Sequence, residues 1–239
     1  MAGKGTRELD QKVLVAFATS DFYQLLSVSL QWPSGELARA ILDGSFREDG
    51  LSILAELGCG EKELQAARAA LAGLDGEAHD VNVLLTSLRR EYTRLFNHPE
   101  QPVLELYESV FLSRHNGEPE VKEAFVNPVA ADVERCFREA GLVIKSREPA
   151  DHLVAELEFM MYLYGNLGKA RQEGQVEEAD RIEGQIQAFV AQHLGKWCQA
   201  FFDRLEAQAQ LPFYRAVGAV AQSGLRKVLP GPDALQGFD

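Results

Sequence analysis

The sequence predicts an all-α protein, a single helical domain of about ten helices in which the connectors Asn97–Pro102 and Gly141–Pro149 are where a hinge could sit. Three observations predict it. Apolar residues recur every three or four positions through most of the 239-residue chain. Strand signals are nearly absent: Asp75-Gly76 and Asn116-Gly117 each lie between helix-like runs, not between alternating ones. The runs are separated by short connectors that hold Pro, Gly or a capping residue. Residues 1–230 read as the domain and 231–239 as a flexible tail.

The elements follow in order. A first helix runs from about Glu8 to Leu30, with Leu9, Val13, Phe17, Leu25 and Leu26 near the 3.6-residue repeat, and Trp32-Pro33 ends it. Ser34 suits the cap of a second helix, Gly35 to Asp43. Glu61 to Leu74 is rich in Ala and Leu and breaks at Gly73 to Gly76. His79 to Phe96 carries Val83, Leu84, Leu88, Tyr92 and Leu95 on one stripe, and two prolines make Asn97 to Pro102 a loop. Val103 to Ser113 is short. Glu118 to Ala140 reads as a helix kinked or broken at Asn127-Pro128, and Gly141 stops it. After the connector Gly141 to Pro149, a helix is expected from Asp151, as N-cap, to about Arg171. Glu173 to Gln208 reads as the longest, with Gly184 and Gly195 as weak points, and Pro212 opens the last, to about Leu229.

Composition narrows the function classes. With 46% hydrophobic and 25% charged residues the chain is globular, not disordered. A formal net charge of −12 repels nucleic acid and anionic membranes and favours cationic partners. Cys59, Cys136 and Cys198 are odd in number and widely spaced, which predicts reduced thiols in a cytoplasmic protein. The N-terminus does not read as a secretory signal, and no uncharged apolar run is long enough to span a bilayer.

The stretch REPADHLVAELEFM, residues 147–160, gathers Asp151, His152 and three glutamates beside a dense apolar set. It admits three readings. As a helix start, Asp151 caps, Glu156 lies one turn beyond His152, and Leu153, Leu157, Met160, Tyr164 and Leu167 form the buried stripe. As a metal site it has a single His, with His79, His98, His115 and His193 scattered elsewhere, so no metal is expected. As a catalytic centre it has no Gly-x-Ser-x-Gly elbow, no Cys in an activating sequence and no phosphate loop, so the chain is expected not to be an enzyme.

Several stretches together resemble one family, the TorD/DmsD/NarJ-type chaperones, or redox-enzyme maturation proteins. REPADHLVAELEFM is similar to the family's Glu-Pro-x-Asp-His signature. EYTRLFNHPEQPVLELYESVF, residues 91–111, resembles its Tyr-x-x-Leu-Phe-x-x-Pro segment and the Tyr-Glu-Ser-Val that follows. His193, Trp197, Phe201 and Leu205, then Phe213-Tyr214, resemble its closing helices. The likeness covers roughly residues 10–230. Asn97-His98 departs from the small residues, often Gly, that the family has before Pro99.

The resemblance implies an all-helical cytoplasmic chaperone. It would hold the apoprotein of a molybdopterin oxidoreductase, bind its twin-arginine leader, assist cofactor insertion and delay export until the enzyme has folded. It implies no cofactor of the chaperone's own, weak binding of GTP in some members, and a monomer or a domain-swapped dimer. Carried over residue by residue, it makes Glu148, Pro149, Asp151, His152, Glu156, Tyr107 and Glu108 the leader-peptide site. For Tyr92, Leu95, Phe96, Trp197, Phe201 and Phe202 core packing competes with that role, and for Asp151 helix capping does. The alternatives are a GTP hydrolase centred on Asp151 and His152 and a structural assembly subunit of a redox complex.

Overall fold

Helices account for most of the computed structural model, which describes residues 2–74, 80–98, 101–116, 127–143 and 148–229. In order they are α1 (Ala2–Leu30), α2 (Gly35–Asp43), α3 (Ser45–Glu56), α4 (Glu61–Ala72), α5 (Val81–Phe96), α6 (Glu108–Asn116), α7 (Pro128–Glu139), α8 (Leu153–Gln172), α9 (Val176–Gln192), α10 (Cys198–Gln208) and α11 (Pro212–Val228). A 3-10 turn, Leu194–Lys196, separates α9 from α10. Among the described residues the only β-type pairing is one isolated antiparallel bridge, Tyr107 to His152. The expected tail, residues 231–239, lies outside the described residues, as do the Asp75-Gly76 turn and the start of the helix expected at Glu118.

The centre is the pair α1 and α8, which pack along each other. On α1, Phe22, Tyr23, Leu26 and Leu30 are buried at helical spacing. On α8, Leu153, Leu157, Met160, Leu163 and Leu167 form the expected stripe, and Phe159 is buried as well. Gly168 lets the two helices approach, because a Cβ there would lie 2.8 Å from the Phe17 ring. Ser20 Oγ ties the pair by donating to the Met161 carbonyl at 2.9 Å. The segment Leu9–Leu30 is long and apolar enough, by length and composition, to cross a membrane, yet half of its most apolar window is buried within this bundle. Trp197 from the turn before α10, Phe201 and Phe202 from α10, and Phe213 and Tyr214 from α11 complete the core. All three cysteines are free.

Three expectations are corrected, and a fourth is made definite. Helix α3 was not foreseen: Gly44, at φ 86°, ends α2 and starts α3 at once, so no connector announces it. The expected helix from Glu173 to Gln208 is two helices. His193 leaves helical geometry at φ −131°, ψ −94°, and the chain turns back so closely that a Cβ on Gly195 would sit 2.5 Å from the Val190 carbonyl oxygen. At Asn127-Pro128, where a kink or a break is expected, α7 starts: Asn127 Oδ1 accepts from the Val129 and Ala130 amides and Pro128 occupies the first turn. Lastly, the cap of α8 is His152, not Asp151. The His152 Nδ1 accepts from the Val154 amide at 3.2 Å, while Asp151 faces the interior.

Candidate functional site

The site forms where the segment before α6 meets the segment before α8. Two backbone hydrogen bonds join them: the Glu108 amide donates to the Asp151 carbonyl at 2.9 Å, and the Leu153 amide donates to the Leu106 carbonyl at 2.7 Å. His152 is extended, at φ −77° and ψ 130°, and follows a turn in which its amide donates to the Pro149 carbonyl at 3.3 Å, while Pro149 disfavours helix at Glu148. The bridge sets Tyr107 edge-on to His152, with ring centroids 5.0 Å apart. Tyr107 then donates its hydroxyl to Glu148 Oε2 at 2.6 Å. The Tyr107 hydroxyl is pushed above its ordinary pKa, first by burial and then by the Glu148 carboxylate. Burial draws His152 below the usual imidazole range, which matches a neutral ring whose Nδ1 serves as an acceptor.

Consecutive residues point to opposite sides of this bridge. Asp151 is fully buried beneath it. Its Oδ2 accepts from Ser109 Oγ at 2.6 Å, from Asn127 Nδ2 at 3.1 Å and from the Ser109 amide at 3.3 Å. One carboxylate thus ties the starts of α6, α7 and α8 together. Glu156 is also fully buried and accepts from Trp197 Nε1 at 3.2 Å. Burial, reinforced by the nearby Glu108 charge, holds its carboxyl well above the usual range and so favours the protonated form, and Oε1 is buried without a hydrogen-bond partner. It does not pair with His152, as their helical spacing alone would allow.

Glu108 in turn meets His193 Nδ1 at 2.9 Å, and the other ring nitrogen meets Asp132 Oδ2 at 3.1 Å. Burial alone would lower the His193 pKa, but hydrogen bonds with the Cys136 and Glu108 side chains and the Glu108 charge push it up to about 9. A protonated His193 therefore holds α6 and α7 to the α9–α10 turn. Its pKa is raised on folding, so the stabilisation is complete below the unfolded value near 6.5 and disappears as pH rises through about 9. In thermal melts, wild type and His193→Gln should therefore differ by about 2 kcal/mol at pH 6 and converge by about pH 10. A difference that does not change with pH would refute a charged His193.

Above the bridge lies a groove of about 440 Å³. Tyr107, Glu148, Pro149 and His152 line it, so four of the seven expected site residues share one surface, whereas Asp151, Glu156 and Glu108 lie below. Leu30, Tyr92, Phe96, Leu106, Val154 and Ala155 supply an apolar floor. Trp32 and Glu158 also line it, and sequence reasoning missed both. Trp32 is half exposed, packs edge-on against Tyr92 at 5.3 Å and lies under the Arg89 guanidinium. The one sequence signal for it was an aromatic in a Trp-Pro helix stop, off every apolar stripe. Glu158 accepts from Gln31 Nε2 at 2.9 Å, which draws the end of α1 to α8. Glu105, the third lining carboxylate, pairs with Arg114. Among the described residues no group of His, Cys, Asp and Glu is arranged to hold a metal ion.

The model of the family described as nitrate reductase delta subunit matches residues 61–203, which spans α4 to α10 and contains the bridge, Trp197 and His193. The chain belongs to the nitrate reductase delta subunit family. This is a family of molybdoenzyme maturation chaperones, not of catalytic subunits, and its members act with the catalytic subunits of nitrate-reductase-type molybdoenzymes. No curated protein matches the chain in sequence. Within the delta-subunit match lie all seven expected site residues, while Trp32 comes from helix-end sequence ahead of it.

Proposed function

We propose that this protein is a cytoplasmic maturation chaperone that holds the apo catalytic subunit of a molybdopterin oxidoreductase by its twin-arginine leader. On this reading it assists cofactor insertion and delays export until folding is complete. The observation that carries the proposal is the groove itself. An apolar, aromatic-rich floor is flanked by Glu148 and Glu158, and the signature residues Pro149 and His152 form its wall. A leader joins a basic segment to an apolar one. The floor suits the second, and carboxylates on an overall acidic chain attract the first.

The roles then divide by depth. His152, Tyr107, Glu148 and Trp32 contact the leader. Asp151, Glu156 and Glu108 act on binding only by holding the bridge and the helix starts in place, being buried below the groove. The geometry lends nothing to hydrolysis at Asp151 and His152. Asp151 Oδ2 is occupied by three donors, and His152 Nδ1 by a backbone amide.

Isothermal titration of the full chain with synthetic twin-arginine leaders tests this. Trp32→Ala and His152→Ala should each weaken binding by about tenfold while the far-ultraviolet circular dichroism stays that of the wild type. Absence of binding to every twin-arginine leader encoded in the same genome would defeat the proposal. So would equal co-purification with the apo and the cofactor-loaded client.

A further inference from the structure

A second groove, of about 550 Å³, lies between α1, α2 and α3, away from the signature residues. Its floor is apolar. Leu37 and Phe46 are buried there, Leu25, Ala40 and Ile53 are partly buried, and Val28 is 42% exposed. Its rim is of one sign. Asp21, Glu36, Asp49 and Glu56 line it from all three helices, and no Lys or Arg is among its lining residues. Burial and the neighbouring Glu56 raise the Asp21 carboxyl above its usual range, as expected where carboxylates crowd an apolar groove.

We infer that this groove docks a cationic amphipathic helix of a partner polypeptide. The apolar floor calls for an apolar stripe, and the carboxylate rim calls for Lys or Arg on both flanks of that stripe. Helical form follows from the walls. They are helix side chains with no backbone edge to pair with, so the occupant must satisfy its own N–H and C=O groups. Asp21 to Val28 and Asp49 to Glu56 each cover two helical turns, about 10 Å, so the occupant engages through roughly three apolar anchors at i, i+3 or i+4, and i+7. A second copy of this chain is a poor occupant, because each copy carries a net charge of −12. An anionic membrane is excluded by the same rim. The inference does not rest on the leader-binding proposal, since the two grooves share no lining residue.

The test uses the full chain and a synthetic four-turn peptide with Leu at i, i+3, i+4 and i+7 and Lys on both flanks. A peptide of the same composition, scrambled to abolish the stripe, is the control. The amphipathic peptide should protect residues 21–56 from hydrogen–deuterium exchange. The double variant Glu36→Lys, Asp49→Lys should raise its Kd about tenfold, while Glu148→Gln should leave it unchanged. The rim residues are exposed, so these variants retain the fold. Equal binding of the scrambled peptide overturns the inference, as does unchanged affinity in the double variant. Protection confined to residues 92–158 overturns it too, and so does protection of 21–56 that follows protein concentration without peptide, which would assign the groove to a second copy.

Discussion

Asp151→Ala should destabilise the protein by about 3 kcal/mol, and the loss should appear as a lower urea midpoint with an unchanged denaturant slope. The substitution removes the acceptor for the Ser109 amide and hydroxyl and leaves the Asn127 side-chain amide only Ser109 Oγ, at 2.8 Å, around a buried site. The starts of α6, α7 and α8 lose their common tie together. Asp151→Asn keeps an acceptor oxygen in place and should cost only about 1 kcal/mol. Leader affinity should follow the folded fraction in both variants, because Asp151 does not reach the groove. If Asp151→Ala proves as stable as wild type yet loses leader binding, the carboxylate contacts the peptide, and the division of roles by depth is wrong.

Two substitutions at Glu156 should separate the effect of its proton from that of its hydrogen bond. The folded state holds this carboxyl protonated, whereas the unfolded chain releases the proton near pH 4.5. The group therefore binds more protons folded than unfolded above that pH, and its presence lowers stability progressively as pH rises. Gln is already neutral and can still accept from Trp197. Glu156→Gln should thus match wild type at pH 4 and exceed it at pH 8. Glu156→Ala leaves the Trp197 indole N–H without its acceptor and opens a cavity in the core, for a loss of about 3 kcal/mol at pH 4 that narrows by pH 8 by as much as the Gln variant gains. Melting curves at the two pH values decide it: a Gln variant less stable than wild type at pH 8 would mean that Glu156 is ionised in the folded protein.

Much of the fold was legible because helix formation writes a local repeat. The stripe from Leu153 to Leu167, the cap Ser34 and the stop at Gly141 are each decided within a few residues of themselves. What escaped depends on longer range. The break at His193 arises because that ring is held by Glu108, 85 residues earlier, and by Asp132, and no local composition records the attachment. The capping exchange between Asp151 and His152 has a similar origin. Asp has the better intrinsic claim to a cap, but Ser109 and Asn127 engage its carboxylate, so the next residue takes the role. Helix α3 was missed for the opposite reason, since Gly44 joins it to α2 with no linker to mark it.

The site divides along the same line. The Glu-Pro-x-Asp-His segment and the Tyr-Glu-Ser-Val segment were each visible as sequence, and their resemblance pointed to one family before any contact was known. Their union in a single bridge, and the arrival of Trp32 and Glu158 at the same groove, required the folded chain. By itself the sequence determined the helical class, the acidic surface and the position of the helix mouth, because these depend on residue type and near-neighbour spacing. Only the tertiary structure decided which signature residues face the groove and which lie beneath it. Side-chain direction at a helix start is set by the partners that bond it, and here those partners come from α6, α7 and the turn before α10.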